Sequence, residues 1–113
     1  MKSIELKVAK ENLGGRETFL TTYDLLKSAI NNPSQNGFSV DEMMKRLRLL
    51  EKVDAHRELF DIKPEEFTDS MLERKAVLEL EDSDYAKLKE LFKEMKWGVI
   101  SKTIVELSKE LDK

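Results

Sequence analysis

The sequence has no cysteine. That excludes a disulfide framework, a thiolate zinc site and a cysteine nucleophile, and it fits a reducing, cytosolic setting. Histidine occurs once, as His56, whereas catalytic zinc centres commonly draw on two or three. No segment comes near the roughly 20 consecutive apolar residues that span a bilayer. The opening Met1-Lys2-Ser3-Ile4-Glu5-Leu6-Lys7 alternates apolar with charged side chains instead of building the apolar run of a signal peptide. Internal repeats, low-complexity tracts and linkers are missing too, so residues 1–113 read as a single domain. These absences set the expectation of a soluble, cytoplasmic protein with no cofactor and no membrane contact.

A basic excess is also lacking. Lys and Arg number 20 and Asp and Glu 23, for a formal net charge of −3. Residues 1–60 carry ten basic and nine acidic side chains, and residues 61–113 carry ten and fourteen, so the first half stands near +1 and the second near −4. Dedicated nucleic-acid binders show a clear basic surplus, which argues against nucleic acid as a partner. What the chain does have is charge of both signs, 38% of its residues, interleaved with 40% hydrophobic residues. That apolar share is too high and too periodic for disorder. A chain of this length buries roughly 65% of its unfolded surface around one modest core.

Along the chain, Ser3 to Ala9 alternates Ile4, Leu6 and Val8 with Glu5 and Lys7, the period of a half-buried strand, and Gly14-Gly15 ends it in a turn. Phe19-Leu20 reads as a short strand or a hydrophobic staple. A helix starts at Thr21 or Thr22 with Leu25, Leu26, Ala29 and Ile30 as its stripe. A polar loop, Asn31 to Gly37, follows. The longest helical pattern, Ser39 to Phe60, has Ser39 as N-cap and Glu42 three residues on, a capping box. Val40, Met43, Met44, Leu47, Leu50 and Val53 form its apolar stripe and are expected to face the core. Pro64 suits the first position of a short helix reaching about Glu73, with Phe67, Met71 and Leu72 inward. Ala76 to Glu81 alternates again as a strand. Tyr85, Leu88, Leu91, Phe92 and Met95 make a further helical stripe, Trp97-Gly98 breaks it, with Gly98 suited to the position just past the helix, and Ile100, Ile104, Leu107 and Leu111 make the last.

Several residues could carry chemistry, each with a plainer reading beside it. His56 would need an oriented carboxylate or nucleophile for acid–base work, and it reads first as a surface histidine near a helix end. Asp82 and Asp84 resemble the start of a calcium loop, but the glycine and the later oxygen ligands are missing. Gly14-Gly15 lacks the spacing and context of a phosphate loop. Lys45, Arg48 and Lys52 share a helix face at i, i+3, i+7 and could follow phosphates. However, Asp41, Glu42, Glu51 and Asp54 lie among them, as on a solvated, salt-bridged face. The segments 21–30 and 39–53 are too far apart for a helix-turn-helix. Trp97 is either a partner anchor or the plug of a hairpin corner. Leu49, Phe38, Leu13 and Met71 fall outside the stripes and, if exposed together, would form a partner patch. The partner-binding candidates are Trp97, Leu49, Lys45, Arg48 and Lys52; no catalytic, cofactor or metal residue stands out.

The order of blocks resembles a group of small, functionally uncharacterised proteins of tailed bacteriophages and prophages. The residues that carry this are Ser3-Ile4-Glu5-Leu6-Lys7, Leu20-Thr21-Thr22-Tyr23-Asp24-Leu25-Leu26, and Lys45-Arg46-Leu47-Arg48-Leu49-Leu50-Glu51-Lys52-Val53. Val77-Leu78-Glu79-Leu80-Glu81-Asp82-Ser83-Asp84-Tyr85, Val99-Ile100 and Val105-Glu106-Leu107 complete it. Phe67 to Lys75 departs from the pattern. The resemblance implies a phage context and transfers no functional residue.

The expected fold is mainly α (α+β), with four to five helices, a two-stranded β ribbon pairing 3–9 with 76–81, and a C-terminal helical hairpin. The expected function is that of a non-enzymatic phage-type accessory protein, bacteriophage or prophage encoded, that binds a host or viral protein and modulates a host factor. The alternatives are a virion or assembly component (connector, chaperone or homo-oligomer) and a DNA-binding regulator using the Lys45 to Arg57 face. An enzyme, resting on His56 alone, comes last.

Overall fold

The computed structural model describes all 113 residues. Strand β1, Lys2–Leu13, turns through Gly14-Gly15 into β2, Arg16–Thr21. Helices α1, Thr22–Ile30, α2, Val40–Asp54, and α3, Arg57–Phe60, follow. Two 3-10 turns, Pro64–Glu66 and Asp69–Glu73, lead to β3, Lys75–Leu80, and then α4, Asp82–Glu94, and α5, Lys102–Leu111. The sheet is antiparallel, in the order β2-β1-β3.

Three strands overturn the expected mainly α fold with a two-stranded ribbon; the architecture is α+β. β1 is long enough to serve two partners. Its first half pairs with β3, from Lys2↔Leu80 to Lys7↔Lys75, and its second half with β2, from Val8↔Thr21 to Leu13↔Arg16. The β1–β2 connection is a two-residue turn with both glycines at positive φ, 61° and 85°. That geometry matches the twist of a hairpin and strains any side chain bearing a Cβ.

The period-two pattern decides which face of the sheet is covered. Ile4, Leu6 and Val8 of β1 and Leu78 and Leu80 of β3 are buried, while Ser3, Glu5, Val77 and Glu79 face outward. Leu25, Leu26, Ala29 and Ile30 of α1 and Leu88, Leu91 and Phe92 of α4 complete the same core. Thr21 caps α1 by accepting from the Asp24 N–H at 2.9 Å. The segment 64–73 forms 3-10 turns instead of a helix, with Phe67, Met71 and Leu72 half-buried and Phe67 stacked on Phe19 at 4.9 Å.

Helix α5 runs antiparallel to β1 and is held at both ends by carboxylates. Glu11 accepts from Ser101 Oγ (2.8 Å), the Lys102 N–H (2.6 Å), the Thr103 N–H (3.1 Å) and Thr103 Oγ1 (2.7 Å). Near the other end, Glu110 accepts from the Glu5 N–H. Ile104, Leu107 and Leu111 are buried as expected, but Ile100 lies before the helix on the loop and is 99% exposed. Gly98 takes no positive φ, and Met95, in extended geometry, ends α4 instead.

Candidate interaction surface

The rotation of α2 about its axis decides what this protein shows to solvent. Ser39 caps the helix, accepting from the Glu42 N–H at 3.1 Å. Its inward side carries Leu49 and Val53, both fully buried, together with half-buried Glu42 and Arg46. Arg46 reaches the C-terminal end of α1, where Nη1 donates to the carbonyls of Ile30 and Asn32, both at 2.9 Å. Those carbonyls have no partner within their own helix end. Arg46 Nε donates to Glu42 at 3.0 Å, and its guanidinium lies 4.4 Å from the Phe38 ring centroid. Lys87 of α4 donates to Glu42 at 2.8 Å. Lys87 first, and Arg46 next, hold the Glu42 carboxyl below its usual range.

Two more ties fix the helix. Arg48 donates from Nε and approaches with Nη2, both 2.9 Å from Oδ1 of Asp84, a buried carboxylate of α4. Tyr23 donates to Asp54 at 2.7 Å, and Lys27 stands 3.0 Å from the same oxygen. The Tyr23 hydroxyl, ahead of Lys27, lowers the Asp54 pKa. These partners come from α1, the turn after it, and α4, the elements on which α2 packs.

The side of α2 away from them is turned outward, and it is apolar. Val40 is 72% exposed, Met43 45%, Met44 64% and Leu47 57%. The stripe expected to enter the core faces solvent over its first two turns. Leu50, half-buried, joins Met43, Leu47, Phe38, Ile30 and Arg46 around a shallow groove of about 230 Å³ beside it.

The sequence-derived candidates scatter. Leu49 is 0% exposed and presents nothing to a partner, because the face carrying it is the one tied to α1 and α4. Lys45 pairs with Asp41 at 3.2 Å and Arg48 with Asp84, while Lys52 is exposed and has no ion-pair partner. The three basic side chains do share one flank of α2, next to the apolar stripe, but acids neutralise two of them. Trp97 is half-buried, its ring 5.2 Å from Phe92 and tilted by 50°, at the corner between α4 and α5. His56 is half-buried at the start of α3, without a side-chain hydrogen bond there. No three His, Cys, Asp or Glu side chains gather as metal ligands, and no helix is long and apolar enough to cross a membrane. The stripe itself was visible in the sequence; its direction was not.

Neither a family model, nor a curated protein, nor a solved structure matches this chain.

Proposed function

We propose that this protein acts without catalysis of its own, by docking on another protein through the outward face of α2. One observation carries this reading. Within a single helix, charged Glu42 and Arg46 are turned inward while Val40, Met43, Met44 and Leu47 are left in water. Scattered apolar side chains on a surface are ordinary, but a contiguous set marks an interaction site. Two of the four are methionines, whose flexible, polarisable side chains adapt to a partner's shape. The resemblance to accessory proteins of tailed phages supports a host or viral protein as the partner class.

The reading is tested by affinity capture with three proteins of matched thermal stability: the wild type, Met44→Lys combined with Leu47→Lys, and Trp97→Ala. A partner retained by the wild type and by Trp97→Ala, and lost with the α2 variant, is the expected result. A partner bound equally by the α2 variant would place the docking surface elsewhere.

A further inference from the structure

We infer that the outer edge of β3 pairs with the same edge of a second copy of this chain, antiparallel, about a two-fold axis at Val77, so that two sheets join into one. This surface is separate from the outward face of α2. Alternation along β1 decides which backbone groups are free. The N–H groups of Glu5 and Lys7 point away from β3, to the Glu110 carboxylate and to Thr22 Oγ1. Ile4 and Leu6 are therefore the residues that bond to β3, at Leu78 and Ala76. The N–H and C=O groups of Lys75, Val77 and Glu79 are left facing outward, and no loop, cap or side-chain hydrogen bond reaches them. The strand has no proline and no bulge, two devices that keep an edge from pairing.

Charge placement names the occupant. With the axis at Val77, Val77 stands opposite Val77, and on either side of it Lys75 of one copy stands opposite Glu79 of the other. All of these are positions at which facing residues exchange both main-chain hydrogen bonds. Directly facing opposite charges favour a strand pairing, and like charges oppose it. Lys75 and Glu79 are exposed, and neither has an ion-pair partner in its own chain. Within its own sheet Lys75 faces Lys7, a like charge, and Glu79 faces Ser3. Val77, 56% exposed, is covered by its own copy. Moving the axis to Lys75 or to Glu79 would set like charge on like. Glu73, which this register would bring towards the partner's Glu81, belongs to the preceding 3-10 turn, so the ladder ends at Lys75 and Glu79. One strand edge is small against the roughly 800 Å² per partner of a standard stable interface, so the pair is reversible and concentration-dependent.

Sedimentation equilibrium of the whole chain tests this, with the wild type, Lys75→Glu, Glu79→Lys, and an equimolar mixture of the two variants. Lys75→Glu sets carboxylate against carboxylate in both charged pairs, and Glu79→Lys sets ammonium against ammonium. Each variant alone should self-associate at least about tenfold more weakly than the wild type. In the mixture both pairs join opposite charges again, so association should return to the wild-type level. Register is read by crosslinking, where the absence of cysteine makes every thiol an introduced one. With a short bis-maleimide, Val77→Cys should crosslink to itself at least about tenfold faster than Ile100→Cys, a control on a fully exposed loop position. Glu79→Cys should be slow on its own, being about 14 Å of strand from its own copy, and fast when mixed with Lys75→Cys. A mixture that associates no better than either variant alone would overturn the proposal, as would Val77→Cys no faster than Ile100→Cys. A strictly monomeric wild type would overturn it too and leave the edge of β3 to an extended segment of another protein. Met44→Lys combined with Leu47→Lys should self-associate as the wild type does; dissociation by that variant would move the self-contact to α2 and overturn the pairing through β3.

Discussion

At the scale of single residues, Glu11 shows how much one side chain can organise. It is a strand residue that acts as the cap of a helix some ninety positions later, taking two hydroxyls and two backbone N–H groups. The Thr103 hydroxyl first, then Ser101 and the two N–H groups, depress its pKa from 4.5 to about 2. A carboxylate with a lowered folded-state pKa contributes stability that is present above its unfolded value and lost as pH falls through the folded one. Glu11→Gln is therefore expected to lower the melting temperature at pH 7, and the gap from wild type should close between pH 4.5 and about 2. Thermal melts followed by circular dichroism at several pH values check this. A gap that stays constant with pH would mean that the carboxylate charge is not what holds α5. Little in the sequence announces this contact. Ser101 is legible as an N-cap, and its hydroxyl takes only the Ile104 N–H, so the Lys102 and Thr103 N–H groups of that first turn had to be met from elsewhere. Nothing local says that Glu11 meets them.

At the scale of elements, the helices and two of the strands are legible because period and caps are local properties. Ser39 caps α2 as expected, Thr21 is the one of the two threonines Thr21 and Thr22 that caps α1, and Ser101 caps α5. The strand outside the expected ribbon, β2, is short and has only Phe19 and Leu20 as apolar residues, which suit a short strand or a staple alike; the turn at Gly14-Gly15 is legible, but that a strand returns from it as a hairpin is not. The orientation of α2 is a different kind of miss. Its longer apolar stripe invites burial, yet Arg46 is drawn inward by carbonyls of α1 and Glu42 by Lys87 of α4, partners 14 to 45 residues away. A sequence pattern within one helix carries no information about them. The two orientations predict opposite mutational outcomes. Leu49→Ala is expected to cost about 2–5 kcal/mol, as for a truncated core leucine, whereas Leu47→Lys should change stability by no more than about 0.5 kcal/mol, as on an open surface. Urea unfolding of both variants measures this, and a reversed order would mean that α2 is turned the other way.

At the scale of the whole molecule, the core is one-sided: helices cover the face of the sheet that carries Ile4, Leu6, Val8, Leu78 and Leu80, while the other face shows Glu5, Val77 and Glu79 to solvent. The apolar face of α2 lies on the outer side of that helical layer, away from the contacts that hold the fold. A surface in that position can be covered and uncovered without unfolding anything, which suits reversible docking. The direct measurement is pulsed oxidation of the methionines, read by mass spectrometry, in dilute protein and then in the associated state formed with a captured partner. Met1, exposed and remote from α2 in sequence, serves as the internal reference, and half-buried Met71 and Met95 as the slow ones. Met44 is expected to oxidise nearly as fast as Met1 in dilute protein, and Met43 and Met44 together should become protected on association while Met1 does not change. Met44 reacting no faster than Met95 in dilute protein, or remaining just as reactive in the associated state, would contradict α2 as the docking face.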